Sequence, residues 1–302
     1  MVAMGRYLPD GVTPEQYPFT GKFLALKNGV QMHYLDEGQG RPVVMLHGNP
    51  SWSFYYRNLA LALRDHNRVI VPDHIGCGLS DKPGDDRYDF TLKSRVDDLE
   101  FLLDSLGVNE KITLVVHDWG GMIGMTYATR HPERIEKLVI LNTGAFFLPG
   151  EKTFPMPLRL CRTPLGALLI RGFNAFARGA AWVGCKRHRM SRELRRAFTA
   201  PYNSWANRIA TLRFVEDIPL APGDKAYAVV QETQEKLGAL STLPMLICWG
   251  LKDFVFDRHF LEEWRRRFPG ATIHSFPDCG HYILEDAQQE VVPLIKRFIE
   301  NA

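Results

Sequence analysis

Short runs of apolar residues alternate with longer segments of helical periodicity along most of this chain. The runs are rich in valine, isoleucine and leucine, which is typical of strands that are covered on both faces. Buried strands are predicted at 42–46, 69–71, 112–116, 137–141, 245–249 and 272–276. Helices are predicted at 51–64, 91–106, 123–131, 259–268 and 288–299. Because strands alternate with helices, the pattern predicts a mostly parallel, doubly wound sheet of the α/β class.

Two segments depart from this alternation. Residues 23–35 alternate in polarity and turn at Lys27-Asn28-Gly29, which predicts a hairpin that opens the sheet. Residues 145–222 show no clear buried strand, only helical segments separated by proline, glycine and arginine. We therefore expect a core in two parts, 1–144 and 223–302, with 145–222 inserted as a helical cap. Such a cap would cover the carboxyl ends of the strands, where open α/β sheets bind ligands.

The segment VHDWGGM joins a predicted strand to a predicted helix and contains Asp118. This is the corner where the α/β-hydrolase fold holds its nucleophile, usually a serine. An aspartate that attacks a saturated carbon forms an ester, which water can cleave, whereas a serine would form a stable ether. Asp118 therefore indicates a substrate with a leaving group on saturated carbon. The alternative is that Asp118 only caps the helix that starts at Trp119, since aspartate is a favoured N-cap.

Two further candidate residues follow later strands. Asp253 comes shortly after the strand predicted at 245–249, and His281 comes shortly after the strand predicted at 272–276. The order nucleophile, acid, histidine is that of α/β-hydrolase triads. His281 would act as general base on water, and Asp253 would orient it. A surface histidine and a turn-forming aspartate are the alternatives, while Asn142, after an earlier strand, cannot supply the carboxylate.

A leaving group that departs as an anion needs N–H donors. Trp119 offers an indole N–H, and Asn49 offers a side-chain amide. Asn49 follows His47-Gly48 in the loop that supplies an oxyanion-hole amide in this fold. The backbone N–H groups of Asn49 and Trp119 are expected to hold the carbonyl oxygen of the ester intermediate. The alternatives are a packing tryptophan and an asparagine in an Asn-Pro turn.

Composition narrows the function classes. A net charge of +3 in 302 residues is too small to suggest a nucleic-acid partner. The five cysteines are scattered without a C-x-x-C pair, and the first nine residues lack an apolar signal core, so we expect a cytoplasmic protein. Cysteine and histidine show no metal-ligand spacing, and no phosphate-loop motif is present. We therefore expect neither a metal nor an organic cofactor.

The positive charge is concentrated in the predicted cap. Residues 155–213 contain eleven arginines, one lysine and one glutamate, a formal charge of +11 that leaves −8 for the rest of the chain. One interpretation is a solvated basic face that packs on an acidic core or a neighbouring subunit. The other is that the amphipathic segment 165–184 contacts acyl chains, a membrane surface or another protomer.

Segments of the predicted core resemble haloalkane dehalogenases. They are HGNPSW (47–52), PDHIGCGLSDKP (72–83), HDWGG (117–121), GLKD (250–253) and GHYILED (280–286). The resemblance implies Asp118 as nucleophile, His281 as base and Asp253 as the triad acid. It also implies Asn49 and Trp119 as ligands of the halide. It is weakest in the cap.

The position of the acid, together with an asparagine halide ligand, resembles the third subfamily of these enzymes. That subfamily also contains the β-lactone decarboxylases of bacterial long-chain olefin biosynthesis, and two segments resemble those especially. They are HGNPSWSFYY (47–56) and RYDFTLKSRVDDLE (87–100). Large homo-oligomers are a further expectation that rests on this resemblance alone.

Four functions remain as hypotheses. The first is a haloalkane dehalogenase, which forms a covalent alkyl ester on Asp118 that water then hydrolyses to an alcohol. The second is a β-lactone decarboxylase that uses the same site on another small hydrophobic substrate. An epoxide hydrolase would need two cap tyrosines, and residues 145–222 contain only Tyr202. The fourth is a non-catalytic scaffold subunit of a lipid-pathway assembly.

Overall fold

The computed structural model describes residues 8–150 and 152–300. Its centre is an eight-stranded sheet with the order β1-β2-β4-β3-β5-β6-β7-β8. The strands are β1 (Lys22–Ala25), β2 (Gln31–Glu37), β3 (Arg41–Leu46), β4 (Asn67–Pro72), β5 (Ile112–Asp118), β6 (Ile135–Thr143), β7 (Met245–Gly250) and β8 (Thr272–Phe276). The pairs β1–β2 and β2–β4 are antiparallel, and all other pairs of this sheet are parallel. The predicted fold class and the opening hairpin are confirmed.

Helices cover both faces of this sheet. They are α1 (Arg57–Leu63), α2 (Leu92–Ser105), α3 (Trp119–Arg130), α4 (Met156–Cys161), α5 (Pro164–Phe173), α6 (Ala175–Val183), α7 (Arg192–Thr199), α8 (Ile209–Glu216), α9 (Tyr227–Lys236), α10 (Arg258–Arg267), α11 (Ile283–Asp286) and α12 (Gln288–Glu300). Helix α2 begins and ends as its sequence predicts. The Thr91 hydroxyl accepts the Ser94 N–H at the start, and Gly107 adopts a φ of 65° beyond the end.

The sheet is the middle layer between two hydrophobic layers. In β5 every residue is buried, and successive side chains alternate between the layers because a strand has a period of two. Leu114 and Val116 pack in one layer, and Val115 packs in the other. A strand buried on both faces shows a continuous apolar run, which explains why the parallel strands could be recognised from sequence.

Helices α4 to α8 lie between β6 and β7, in the segment predicted to form the cap. In the part of this segment that the structure describes, no strand is formed, as predicted. Helix α9 packs on α3 of the core. The cap boundaries at 145 and 222 stay a prediction.

Within the described residues, no helix is both long enough and apolar enough to cross a bilayer. All five cysteines are free. The first nine residues were predicted to lack an apolar signal core. Residues 1–7 of this stretch lie outside the described ranges.

Candidate active site

The corner between β5 and α3 places Asp118 at the carboxyl edge of the sheet. Its backbone has φ 52° and ψ −129°, a conformation that costs free energy in a residue with a side chain and is found mainly at functional positions. The tight corner requires glycine at position 120, because a Cβ there would collide with the backbone carbonyl oxygen of Leu46. The Thr143 hydroxyl donates to the Asp118 carbonyl oxygen and ties the corner to β6.

The Asp118 carboxylate does not cap the helix that follows it. Helix α3 receives no side-chain cap hydrogen bond from Asp118. Instead, Oδ1 accepts the Asn49 backbone N–H at 2.5 Å. Burial raises the pKa of Asp118, and His281 together with the backbone N–H groups of Trp119 and Asn49 opposes this rise. The donors therefore lie where an oxyanion hole would hold the carbonyl oxygen of an Asp118 ester.

His281 lies between the two aspartates. Its Nδ1–H donates to Asp253 Oδ2 at 2.7 Å, and its Nε2 is 3.6 Å from Asp118 Oδ2. Burial lowers the pKa of His281, but the Asp253 and Asp118 carboxylates outweigh burial and leave this pKa raised. This is the geometry of a nucleophile, a base and an orienting acid. The structure thus brings together the three residues that the sequence singled out.

Asn142 holds the acid in place, a role that the sequence did not indicate. Its Nδ2 donates to Asp253 Oδ2 at 3.2 Å and to the Gly250 carbonyl oxygen at 3.0 Å. Its Oδ1 accepts the Gly250 N–H at 2.8 Å. The Val255 N–H donates to the other Asp253 oxygen at 2.8 Å. Asp253 is therefore fixed by three partners, counting His281, and the amide at 142 assists the acid rather than competing with it.

His117 stabilises the backbone of the loop that carries His281. Its Nε2–H donates to the His281 carbonyl oxygen at 2.9 Å, and the two ring centroids are 4.5 Å apart. Burial lowers the pKa of His117 well below the usual value, so this imidazole stays neutral. Phe256 stacks on His281 with an interplanar angle of 14°. Since these contacts join residues far apart in the chain, no local sequence signal could reveal them.

The loop before α1 supplies Asn49. Its side-chain Nδ2 donates to the Thr211 carbonyl oxygen of α8 at 3.0 Å, so one of its two N–H bonds is engaged with the cap. The second N–H bond is free to serve a leaving group in the cavity, which Asn49 lines. Trp119 lines the same cavity and packs its ring on Phe214 of α8, with centroids 5.4 Å apart. Both proposed leaving-group donors therefore lie between core and cap.

A buried cluster of polar side chains lies beside the loop that carries Asn49, and the sequence did not indicate it. Asp73 accepts from His33 Nδ1 at 2.7 Å and from the Ser53 N–H at 2.6 Å. His47 Nε2 accepts the His74 N–H at 3.2 Å, so its proton is on Nδ1 and is donated to the Gly48 carbonyl oxygen at 2.9 Å. The cluster fixes the backbone that carries the Asn49 N–H.

A cavity of about 460 Å³ lies between the core and the cap. Its wall is mainly aliphatic and aromatic, and the core and cap both contribute to it. Examples are Phe146, Phe260, Leu169, Ile170, Phe176 and Val215. Among the described residues that line it, Asp118 is the only carboxylate and His281 the only imidazole, and no lysine or arginine is present. This cavity suits a neutral, hydrophobic substrate.

The epoxide hydrolase hypothesis finds no support in the cap. Tyr202 is fully buried, and its hydroxyl donates to the Ser51 carbonyl oxygen at 2.9 Å. It does not line the cavity described above. As for metals, no group of three His, Cys, Asp or Glu side chains in the described ranges is arranged to hold an ion. The expectation of no cofactor stays a prediction.

The fold, together with the strained corner at Asp118 between β5 and α3, defines an α/β hydrolase. The alpha/beta hydrolase fold family matches residues 41–288. The chain belongs to this family. A cis-3-alkyl-4-alkyloxetan-2-one decarboxylase of Shewanella oneidensis is 64% identical, covering 93% of this chain and 89% of that protein. The decarboxylase of the same name from Xanthomonas campestris is 50% identical, covering 94% and 97%.

More distant relatives are haloalkane dehalogenases. Haloalkane dehalogenase 2 of Mycobacterium bovis is 31% identical, covering 97% of this chain and 98% of that protein. Among solved structures, haloalkane dehalogenase DbeA from Bradyrhizobium elkani superposes with a TM-score of 0.82 at 26% identity, covering 92% of this chain and 96% of that one. The resemblance seen in the sequence is confirmed. The order of the first two hypotheses is reversed, since the decarboxylases are more similar than the dehalogenases.

Proposed function

We propose that this protein decarboxylates cis-3,4-dialkyl β-lactones, which are four-membered rings, to alkenes and carbon dioxide. The observation that carries the proposal is the 64% identity to a protein named for this reaction, over 93% of the chain. The site supports it in chemical terms. A buried aspartate faces an apolar cavity, with N–H donors beside it. The dehalogenase reading becomes the second candidate.

In the first step, Asp118 Oδ2 attacks the saturated ring carbon that is bonded to the ring oxygen, not the carbonyl carbon. The carbon–oxygen bond of the ring breaks, its electron pair stays on oxygen, and a carboxylate is released within the same molecule. The product is an alkyl ester of Asp118 with inverted configuration at that carbon. The Asn49 amide and the Trp119 indole N–H receive the new anion, as they would receive a halide. Release of ring strain favours this step.

In the second step, the carbon–carbon bond to the carboxylate breaks. Its electron pair forms the alkene, and the ester carbon–oxygen bond breaks to restore the Asp118 carboxylate. Carbon dioxide leaves, and neither water nor an oxidant is consumed. Apart from the N–H donors of Asn49 and Trp119, the cavity wall is mainly apolar and solvates an ionised carboxylate less well than water does, so its conversion to carbon dioxide is favoured there. Inversion followed by anti elimination converts a cis-lactone into a cis-alkene.

The backbone N–H groups beside Asp118 assist both the formation and the breaking of its ester. The Asn49 N–H bonded to Oδ1 stabilises negative charge when the carboxylate leaves the alkyl group. His281 Nε2 lies 3.6 Å from Asp118 Oδ2, where a protonated imidazole would stabilise charge on the departing oxygen, and the neighbouring carboxylates raise the pKa of His281 and so favour that form. In the decarboxylation, His281 therefore acts by electrostatic stabilisation, whereas in hydrolysis it would have to activate water.

The test is incubation of the purified protein with a long-chain cis-3,4-dialkyl-oxetan-2-one and analysis of the products. We expect cis-alkene and carbon dioxide from the wild-type protein. Asp118→Asn should lower the rate by about 10³-fold or more, because an amide is a poor nucleophile. Asp65→Asn, which changes an exposed aspartate away from the cavity, should leave the rate unchanged. A β-hydroxy acid in place of the alkene would overturn the decarboxylase reading in favour of hydrolysis.

The second candidate, haloalkane dehalogenase, is favoured by the 31% identical relatives and by the anion donors of the site. It predicts halide release from 1,2-dibromoethane or 1-iodohexane. In His281→Ala the reaction should stop at the ester, which would be visible as a protein mass increased by the alkyl group. Halide release without any alkene from the lactone would make this the function. Activity on neither substrate, with no adduct, would leave the scaffold hypothesis.

A further inference from the structure

The outer surface of the cap exposes large apolar side chains. Leu165, Leu168 and Phe173 of α5 are 57%, 49% and 63% exposed, and Trp182 and Trp205 are 54% and 49% exposed. We call these five residues the outer cap face. A folded protein rarely exposes so many large apolar residues on one segment without a binding role. The inner side of α5 meanwhile lines the cavity, so this helix is apolar on both sides.

Three arginines lie beside the two tryptophans of the outer cap face. Arg171 stacks on Trp205 at 4.7 Å from the ring centroid, and Arg195 stacks on Trp182 at 4.0 Å. On α6, Arg178 is exposed and lies four residues before Trp182, so the two share a helix face.

Most of the positive charge of residues 155–213 is not neutralised by carboxylates among the described residues. Arg187 and Arg213 form salt bridges with carboxylates. In the described part of the chain, no carboxylate lies at salt-bridge distance from five exposed arginines. They are Arg159, Arg178, Arg189, Arg192 and Arg196. The segment that carries the outer cap face is therefore basic and exposes large apolar side chains, a combination that complements an anionic lipid surface.

The cavity opens beside this face. Leu160 of α4 and Val183 of α6 both line the cavity and are 48% and 43% exposed, so they lie at its mouth. Val183 directly follows Trp182, and Leu160 directly follows Arg159, which has no salt-bridge partner among the described residues. A surface that covers the outer cap face would also lie close to the mouth. A hydrophobic substrate dissolved in lipid could then enter without crossing bulk water.

We propose that the outer cap face docks on anionic lipid membranes. Charge decides between a membrane and a second copy of this chain. A two-fold contact through this face would bring together two copies of a segment in which five exposed arginines have no carboxylate at salt-bridge distance among the described residues. These copies repel one another, whereas an anionic surface attracts them. The inference is independent of the proposed reaction, because binding is measured without turnover.

The first experiment measures co-sedimentation of the full chain with vesicles. We expect binding to vesicles of phosphatidylcholine and phosphatidylglycerol, weaker binding to phosphatidylcholine alone, and release at high salt. Arg178→Gln with Arg192→Gln should lower partitioning about five-fold for each lost charge. The matched control, Arg265→Gln with Arg266→Gln on α10, changes the net charge equally and should bind like the wild-type protein. Equal losses in both variants would refute a specific face.

The second experiment locates the contact. Brominated lipids should quench the fluorescence of the wild-type protein, and Trp182→Phe with Trp205→Phe should remove most of this quenching. Phe173→Ser should weaken vesicle binding while the protein stays folded by circular dichroism, because Phe173 is exposed. If Phe173→Ser instead changes the sedimentation coefficient of the protein alone and leaves vesicle binding unaltered, the face binds another copy of the chain and the membrane proposal is wrong.

Discussion

Asp118 has one oxygen fixed and the other directed toward the base. Oδ1 is held by the Asn49 N–H at 2.5 Å, and Oδ2 is 3.6 Å from His281 Nε2. An attacking carboxylate that is already oriented loses little rotational freedom when substrate binds. Because only the ionised form attacks, the protonation of Asp118 sets the acid limit of ester formation.

This protonation gives a pH prediction. Burial raises the pKa of Asp118 and His281 opposes the rise, so His281→Ala should raise it further. Since the rate is lost as the pH falls through this pKa, the acid limb of the variant should lie at higher pH than that of the wild-type protein. Single-turnover formation of the ester from 1-iodohexane, measured against pH, tests this. An acid limb that stays in place would show that the two residues do not titrate as a pair.

The triad acid gives a second prediction at this scale. Asp253→Asn should lower activity strongly, because His281 loses its charged partner at 2.7 Å. Adding Asn142→Asp to that variant should restore part of the activity. The side chain at 142 lies 3.2 Å from the same Asp253 oxygen, so the double variant exchanges acid and amide almost in place. Asn142→Asp alone should be less active than wild type, since it places two carboxylates in contact.

The sequence singled out Asp118, Asp253 and His281 because each has a local signal. Asp118 ends β5, Asp253 and His281 follow the ends of β7 and β8, and the structure brings the three together. The contacts that hold the surrounding side chains in place have no such local signal in the sequence. The Asn49 amide reaches Thr211, which is 162 residues away, and only the folded cap shows that this N–H bond is engaged.

At the scale of elements, polar residues inside strands limited the prediction of boundaries. Strand β6 was predicted at 137–141 but spans Ile135–Thr143. Glu136, just before the predicted start, lies in the strand, and its carboxylate accepts from Arg41 Nη1 at 2.9 Å. Asn142 likewise has distant partners. These partners, which a pattern of apolar residues cannot show, are what allow a strand to extend through polar positions.

The corner between β5 and α3 has no room for an added methyl group at position 120. Gly120→Ala should destabilise the protein by about 2–3 kcal/mol, because the new Cβ meets backbone carbonyl oxygens of Leu46 and His47 that cannot move aside. Gly238→Ala is the matched control. A Cβ there has no atom within 4 Å, so stability should change by about 1 kcal/mol or less. Urea unfolding of both variants tests the difference. Equal midpoints would mean that the corner between β5 and α3 accommodates the added methyl group with little loss of stability.

For the whole molecule, the sequence predicted a cap and its charge but not how the cap is joined to the core. Asp217, at the end of α8, accepts the Leu92 N–H at 2.6 Å and so links the cap to the first turn of α2. The fully buried Arg95 of α2 stacks on Phe214 of α8, 3.7 Å from the ring centroid. The cavity lies between the two parts, and its volume therefore depends on contacts that join distant segments.

The Asp217 link makes the stability of the molecule depend on pH. Burial raises the pKa of Asp217 from 3.8 to about 6, although Arg95 and the Leu92 N–H oppose this. Between these values the folded chain binds more protons than the unfolded chain, so the free energy of unfolding falls as pH rises through the window. Asp217→Asn keeps an acceptor for Leu92 but cannot ionise. It should flatten this decline and stabilise the protein at pH 8 by about 2 kcal/mol.

The matched control is Asp97→Asn on α2, which removes an exposed carboxylate and should change stability by about 1 kcal/mol or less. Asp98, whose pKa is also raised to about 6 by burial, is retained in both variants, so the slope of Asp217→Asn should be reduced and not abolished. Thermal unfolding between pH 4 and 8 measures both effects. A curve for Asp217→Asn parallel to that of the wild-type protein would mean that Asp217 is ionised throughout, with Arg95 compensating fully for its burial.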